Sequence, residues 1–521
     1  MNPGAMPETT ERMPSQIPYI IGNEACERFS FYGMRNILTG FLISTLLLRY
    51  LPDKAARTLA AKDVFHTFVI GVYFFPLLGG WISDRLFGKY NTILWFSLVY
   101  CVGQGFLAAF ADNRDLFYVG LFLIALGSGG IKPLVASFVG DQFDQTNKHR
   151  AKLVFDIFYW SINFGSFFAS LLMPLILRSS GQRVAFGVPG ALMLVATIVF
   201  WAGRGRYVRV APPPHDPHSF LRVVWTALTA PSPEGRAGLY VAVLGLVLGL
   251  GAVGLAFTSW LELVPAICLG LVLVLGFGGG GTWMQLDRAR GLHPDAAVDG
   301  VRSVLRVLVV FALVTPFWSL FDQKASTWVI QGDQMLRPSW FDASQMQLVN
   351  PALVMILIPI NNLWLFPLLA RRGYNVTALG KMTVGMALAG ASWIVAGALQ
   401  LRLDAHFEVS IFWQIVPYIL LTLGEVLVSA TGLEFAYSQA PLAMKGVIMS
   451  FWSLAVTIGN LWVLLADVSV KNPSVTRAIA DVGIGKIAFQ MFFFALFAFA
   501  AAAAFRAYAK RYRAVDNYRT S

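Results

Sequence analysis

Residues 487–505 read IAFQMFFFALFAFAAAAAF, a run with no charged side chain. As an α-helix rising about 1.5 Å per residue, it nearly matches the roughly 30 Å hydrocarbon core of a bilayer. Residues 240–256 and 353–370 are also long and charge-free. Across the 521 residues, 57% are hydrophobic and 13% charged, where a soluble domain carries roughly 25% charged residues. The expected fold is therefore all-α and membrane-spanning, with about fourteen spans.

The net charge of +12 does not point to nucleic acid. Lys and Arg fall in short clusters between apolar runs, without basic faces interleaved with aromatics. Cys26, Cys101 and Cys268 lie far apart in apolar runs, which gives neither metal spacing nor a disulfide framework. The first 15 residues lack a basic region followed by a small-residue cleavage site, so the first span is expected to be retained. No Ser/His/Asp set, HExxH or paired cysteine suggests an enzyme, and the six histidines are read as scattered in loops or near span ends.

Basic residues divide the loops into two sets. One holds Arg85, Lys89, Lys148, Arg150, Arg204, Arg206, Arg209, Arg222, Arg288, Arg371, Arg372 and the tail residues Lys510 and Arg511. The other, with Lys54, Arg57, Arg114 and Arg178, is poorer. The rich side is expected to be cytoplasmic, and an even number of spans puts both termini there. The predicted organisation is a cytoplasmic N-terminus (1–15), a six-span bundle (16–207), a cytoplasmic linker (208–303) carrying a hairpin at about 237–285, a second six-span bundle (304–510) and a tail (511–521). Transporters commonly hold substrate between such halves.

Charges inside spans cost at least ~2.5 kcal/mol each on insertion scales, so they mark cavities or partners. The first span carries Glu24, Glu27, Arg28 and Arg35. At about 100° per residue, Glu24, Arg28 and Arg35 share a stripe and Glu27 lies one column over. Two carboxylates beside one guanidinium titrate as a coupled set, the makings of a proton switch. Span four holds Gly127-Ser128-Gly129-Gly130-Ile131-Lys132-Pro133, an intramembrane lysine next to a proline. The glycines permit close helix approach, and no strand–turn–helix context supports a nucleotide loop. Span nine carries Asp322 and Lys324, two apart and so expected to find partners elsewhere. Span twelve carries Glu425 with Ser429 at i+4. Tyr73, Trp318 and Trp452 can line a cavity or simply pack, and Asn163 and Asn350 suit interhelical hydrogen bonds. The loop after span two reads Gly79-Gly80-Trp81-Ile82-Ser83-Asp84-Arg85.

Several of these motifs share one resemblance. Residues 79–89 resemble the loop motif of the major facilitator superfamily, whose Asp and Arg, here Asp84 and Arg85, link helix ends. Glu24-x-x-Glu27-Arg28-Phe29-x-Phe31-Tyr32-Gly33, GSGGIKPLVASFVGDQF at 127–143 and Phe158 to Gly165 resemble signatures of the proton-dependent oligopeptide transporter family, prokaryotic branch. Phe317-Trp318 to Trp328 and Gly424-Glu425 to Glu434 match its second half, and the likeness runs from about residue 15 to 510.

The resemblance implies a major facilitator fold of two six-helix bundles plus two extra helices, in the cell membrane. It implies a symporter importing di- and tripeptides with protons, with no cofactor beyond the coupling proton. Membrane lipids are the other expected partners; no nucleic acid and no obligate protein partner are expected. It further implies proton coupling by Glu24, Glu27, Arg28, Lys132 and Asp322. Arg35 and Lys132 would meet the peptide carboxylate. Glu425 would meet the amino group, helped by Asn350 and Ser429. Tyr32, Tyr73, Asn163, Trp318 and Trp452 would line the pocket. Phe31 stands where many members have Tyr, and Lys324 adds a charge that could pair with a carboxylate. The alternatives are carriage of another small solute such as nitrate, and a non-transporting peptide sensor.

Overall fold

The computed structural model describes residues 13–143, 151–210, 216–231, 235–258, 263–373, 377–432, 435, 439, 445–471, 473–481 and 483–512. Its helices are α1 (Ile17–Phe41), α2 (Lys54–Ile82), α3 (Gly88–Ala109), α4 (Arg114–Gly129), α5 (Lys132–Asp141), α6 (Ala151–Ala202), α7 (Phe220–Thr229), α8 (Ala237–Gly254) and α9 (Leu263–Gln285). There follow α10 (Asp295–Asp322), α11 (Thr327–Asp333), α12 (Val349–Ile360), α13 (Phe366–Arg371), α14 (Ala378–Asp404), α15 (Ile415–Glu425), α16 (Lys445–Lys471), α17 (Pro473–Asp481) and α18 (Lys486–Ala509).

Among the described residues, twelve segments are long and apolar enough to cross a membrane. Two of them, Lys54–Ala109 with 56 residues and Ile157–Gly205 with 49, are each long enough to cross twice. The first breaks at Gly88 (φ 72°) and the second at Gly181 (φ 78°). Both glycines sit in the left-handed region, where a side chain would strain the backbone. Counted this way, the described residues make fourteen crossings.

Local chemistry starts and interrupts these helices. Asp53 caps α2 by accepting from the Ala56 N–H at 2.7 Å, and Asn113 caps α4 by accepting from the Asp115 and Leu116 N–H groups at 3.1 Å. Wide π turns occupy Leu42–Leu46, Ser83–Phe87, Asn361–Leu365 and Val426–Ala430.

The structure changes two local readings. Gly79 and Gly80 are not in a loop; they belong to the last turn of α2, and the reversal comes at Gly88. Gly79 lies against the backbone of Gly129, so close that a Cβ there would stand 2.3 Å from the Gly129 carbonyl oxygen. Span four is not one helix, because α4 ends at Gly129 and α5 begins at Lys132.

The chain separates into two compact units. The first comprises residues 1–213, 324–361 and 410–415. Its core includes a cluster of Phe41, Phe117 and Phe186 with ring centroids 4.9 to 5.3 Å apart. The second comprises residues 214–323, 362–409 and 416–521. There α8 and α9 form a hairpin packed through Gly249 and Gly270, and Trp393 on α14 meets Phe494 on α18 at 5.8 Å.

A further correction concerns histidines in the second unit. His218 and His293 do cluster: their Nδ1 atoms are 2.9 Å apart, and His293 Nε2 lies 2.9 Å from Thr226 Oγ1 on α7. Of the two Nδ1 atoms one must accept, so at least one ring is neutral. Burial, then His218 and Arg222, hold His293 below its ordinary value of 6.5, while Asp216 works weakly the other way. A lowered value in the folded state means that protonation opposes the contact. The latch is therefore complete above about pH 6.5 and weakens as pH falls below it. Hydrogen exchange of residues 220–229 is expected to be faster at pH 5.5 than at pH 7.5, after correction for intrinsic rates, and to be pH-insensitive in His293→Gln.

Candidate functional site

In the first unit, α1 carries its acidic and basic residues inward. Glu24 and Glu27 are fully buried and Arg28 nearly so. Arg28 Nε donates to Glu24 Oε1 at 2.6 Å and lies 3.3 Å from Glu27 Oε2. The i,i+4 spacing makes the first contact on one helix face, and one guanidinium serves both carboxylates. A proton on either glutamate would leave Arg28 to the other.

Lys132 opens α5 after the helix break, and its ammonium sits 3.2 Å from the centre of the Phe31 ring and 5.3 Å from that of Tyr73. It is also near enough to act on the charge of Glu24. Phe31 is thus a buried platform for a cation. Tyr32 and Tyr73 are half-buried, and Tyr32 meets the edge of Phe31 at 5.4 Å. Arg35 is buried with its guanidinium carbon 5.4 Å from the centre of the Phe65 ring. A desolvated cation–π contact contributes about 2 kcal/mol. Phe31→Leu is accordingly expected to lower the thermal midpoint of the purified protein, and Phe31→Tyr, which keeps the ring, to leave it near wild type.

Asn163 is buried, and its amide donates to the Tyr159 carbonyl one turn back, at 3.0 Å, rather than to another helix. Arg85 is exposed, whereas the Asp84 side chain lies outside the described residues.

The first unit also contains residues 324–350, which are bonded to α1, α2 and α6. Thr39 Oγ1 donates to the Ala325 carbonyl at 2.9 Å, Gln347 Nε2 to the Asn36 carbonyl at 3.1 Å and Gln345 Nε2 to the Leu171 carbonyl at 2.9 Å. His66 Nε2 lies 2.9 Å from Ser326 Oγ. His66 was expected in a loop or near a span end, yet it is fully buried within α2. Its signal in the sequence was its place seven residues before Tyr73, on one face of the same helix. Lys324 Nζ donates to Asn350 Oδ1 at 2.7 Å, so the added lysine engages an amide that the family pattern assigns to substrate.

In the second unit, Asp322 ends α10, is buried and accepts from Asn460 Nδ2 on α16 at 2.7 Å. Asn460 had no sequence motif to flag it. Trp318 and Trp452 are both buried and meet edge to face at 5.9 Å. Glu425, half-buried, is the last residue of α15, and the π turn Val426–Ala430 that follows carries Ser429. Their separation therefore crosses a change of helical pitch. Glu434 lies outside the described residues.

Comparison with known proteins agrees with this arrangement. The model of the POT family (PTR2) matches residues 90–237 and 288–484. Peptide transporter 3 of Caenorhabditis elegans is 33% identical over 414 residues, covering 76% of this chain and 52% of that protein. Solute carrier family 15 member 1 of Homo sapiens is 32% identical over 429 residues, covering 76% and 53%. The chain spans about half the length of these curated relatives. Among solved structures, an auto-inhibited POT family peptide transporter superposes with a TM-score of 0.95 at 63% identity, covering 98% of this chain and 99% of that one. The POT family transporter PepTSo, crystallised in meso, superposes with a TM-score of 0.94 at 62% identity, covering 97% and 100%. The fold is all-α and of the major facilitator type. With a family model matching well over half its residues and a solved relative alike along nearly its whole length, the chain belongs to the POT family.

Proposed function

We propose that the protein is a proton-coupled symporter that carries di- and tripeptides into the cell by alternating access. The observation that carries this reading is the buried set on α1, where Glu24 and Glu27 share Arg28. Such a set holds one proton at a time with different partners for Arg28, which is what coupling requires. The worm relative is named a peptide transporter, which supports the same substrate class.

A zwitterionic peptide needs cations at one end and an anion at the other. Arg35 and Lys132 take the carboxylate, and Glu425 with Ser429 takes the ammonium group. Tyr32, Tyr73, Asn163, Trp318 and Trp452 contribute lining, with polar tips on apolar bodies. Asn350 shares its oxygen with Lys324 and reaches substrate only when that bond opens. Asp322, held by Asn460, is a second protonation site.

The basic loops lie on the cytoplasmic side, with both termini there. The bonds from residues 324–350 to α1, α2 and α6 are then on the external side. His66 joins this group through Ser326.

The test is uptake of labelled dialanine into proteoliposomes with and without an inward proton gradient. Accumulation that requires the gradient and collapses with a protonophore is expected. Absence of dialanine uptake by folded protein, with uptake of nitrate instead, would overturn the substrate assignment.

A further inference from the structure

One face of α7 carries none of the residues assigned above to protons or substrate. On α7, Val223 and Ala227 are fully buried, while Leu221 is 74% and Trp225 69% exposed. Leu221 and Trp225 are four residues apart and share the outward face, with Arg222 beside them. Two large apolar side chains so exposed on one short helix are costly in water.

The anchors of α7 fix its level. Near its start, Phe220 meets Phe451 on the second turn of α16 at 6.1 Å. At its end, Gln285, the last residue of α9, donates to the Ala227 and Leu228 carbonyls at 3.0 and 2.9 Å. Both ends are thus pinned to the ends of spans, so the helix runs along the rim of the unit rather than away from it. That rim carries the marks of a membrane boundary. Trp283, two residues before the end of α9, is exposed, and its ring centre lies 5.6 Å from the Arg302 guanidinium and 5.8 Å from that of Arg306. Tyr240 is exposed in the first turn of α8. Aromatic rings with nearby arginines at span ends sit at the headgroup level.

We propose that the outward face of α7 is a docking surface for an anionic phospholipid leaflet. Leu221 and Trp225 enter the glycerol layer, and Arg222 meets a lipid phosphate. A Trp on the apolar side and a basic residue at its edge is the pattern of helices that lie in the interface, and the surface is continuous with the lipid-facing side of α8 and α9. The occupant follows from where the helix is held, whichever solute the protein carries.

The experiment uses the full chain in nanodiscs, one copy per disc, with Cys26, Cys101 and Cys268 replaced by Ser. An environment-sensitive label is attached at Leu221→Cys and, separately, at Trp225→Cys. In discs containing phosphatidylglycerol, both labels are expected to be quenched by a nitroxide at the lipid headgroup and shielded from aqueous iodide. In Arg222→Gln the preference for phosphatidylglycerol over phosphatidylcholine is expected to drop about fivefold, the factor for one basic residue at an anionic surface. Labels open to iodide and untouched by the lipid nitroxide overturn the proposal. Shielding found only in discs holding two copies also overturns it, by assigning the face to a second copy. Equal quenching in pure phosphatidylcholine overturns the anionic preference.

Discussion

Glu27→Gln protein is expected to exchange dialanine across proteoliposomes but to fail to accumulate it under an inward proton gradient. Glu27 is fully buried and shares Arg28 with Glu24, at 3.3 Å and 2.6 Å. The amide keeps the shape of the side chain and can neither take up nor release the proton. Arg28 then stays with Glu24, and substrate movement no longer depends on titration at this site. Coupling free energies of 1–3 kcal/mol correspond to about 5- to 150-fold, so accumulation should fall within that range while the exchange rate changes little. Exchange and accumulation lost together, in protein that still folds, would assign Glu27 to substrate binding or stability instead. Accumulation kept at the wild-type level would remove it from the coupling site.

The second large effect is steric. Gly79→Leu is expected to abolish recovery of monodisperse protein, whereas Gly80→Leu should behave as wild type. A Cβ on Gly79 would stand 2.3 Å from the Gly129 carbonyl oxygen and 2.8 Å from Gly130 Cα, all backbone that cannot swing aside. Overpacking costs about 1–3 kcal/mol even where side chains can give, and here α2 and α4 must separate along their contact. A Cβ on Gly80, its immediate neighbour, would meet nothing within 4 Å. Fluorescence-detected size-exclusion profiles of the two variants, expressed side by side, measure the contrast. Matching profiles would mean that the close approach of α2 to α4 is not needed for folding.

The spans and the α1 cluster were legible because both depend on short-range order in the chain. A run without charge, or an i,i+4 pair, is visible in one dimension. What escaped depends on long-range contacts. The 3.2 Å contact of Lys132 with the Phe31 ring joins residues about a hundred positions apart, so no local pattern could reveal it. His66 was misplaced because α2 starts at Lys54, well before the apolar run that marked its span, so a residue judged near a span end is within the helix. Gly79 and Gly80 read as a turn because paired glycines usually mark one. Here small residues serve helix contact, and the turn falls nine residues later, at Gly88. The partners of Asp322 and Lys324 were anticipated as a need, but the amides that meet it, Asn460 and Asn350, have no charge to reveal them.

The wide turn after Glu425 leaves its helix one residue of slack. If the bulge moves along the helix, residues on one side of it advance by one position relative to the other, a screw of about 100° and about 1.5 Å. Glu425 can then turn to face another direction without its helix unwinding, and with only a few backbone hydrogen bonds exchanging partners. A regular α-helix offers no such motion, because turning one side chain would require turning the whole rod.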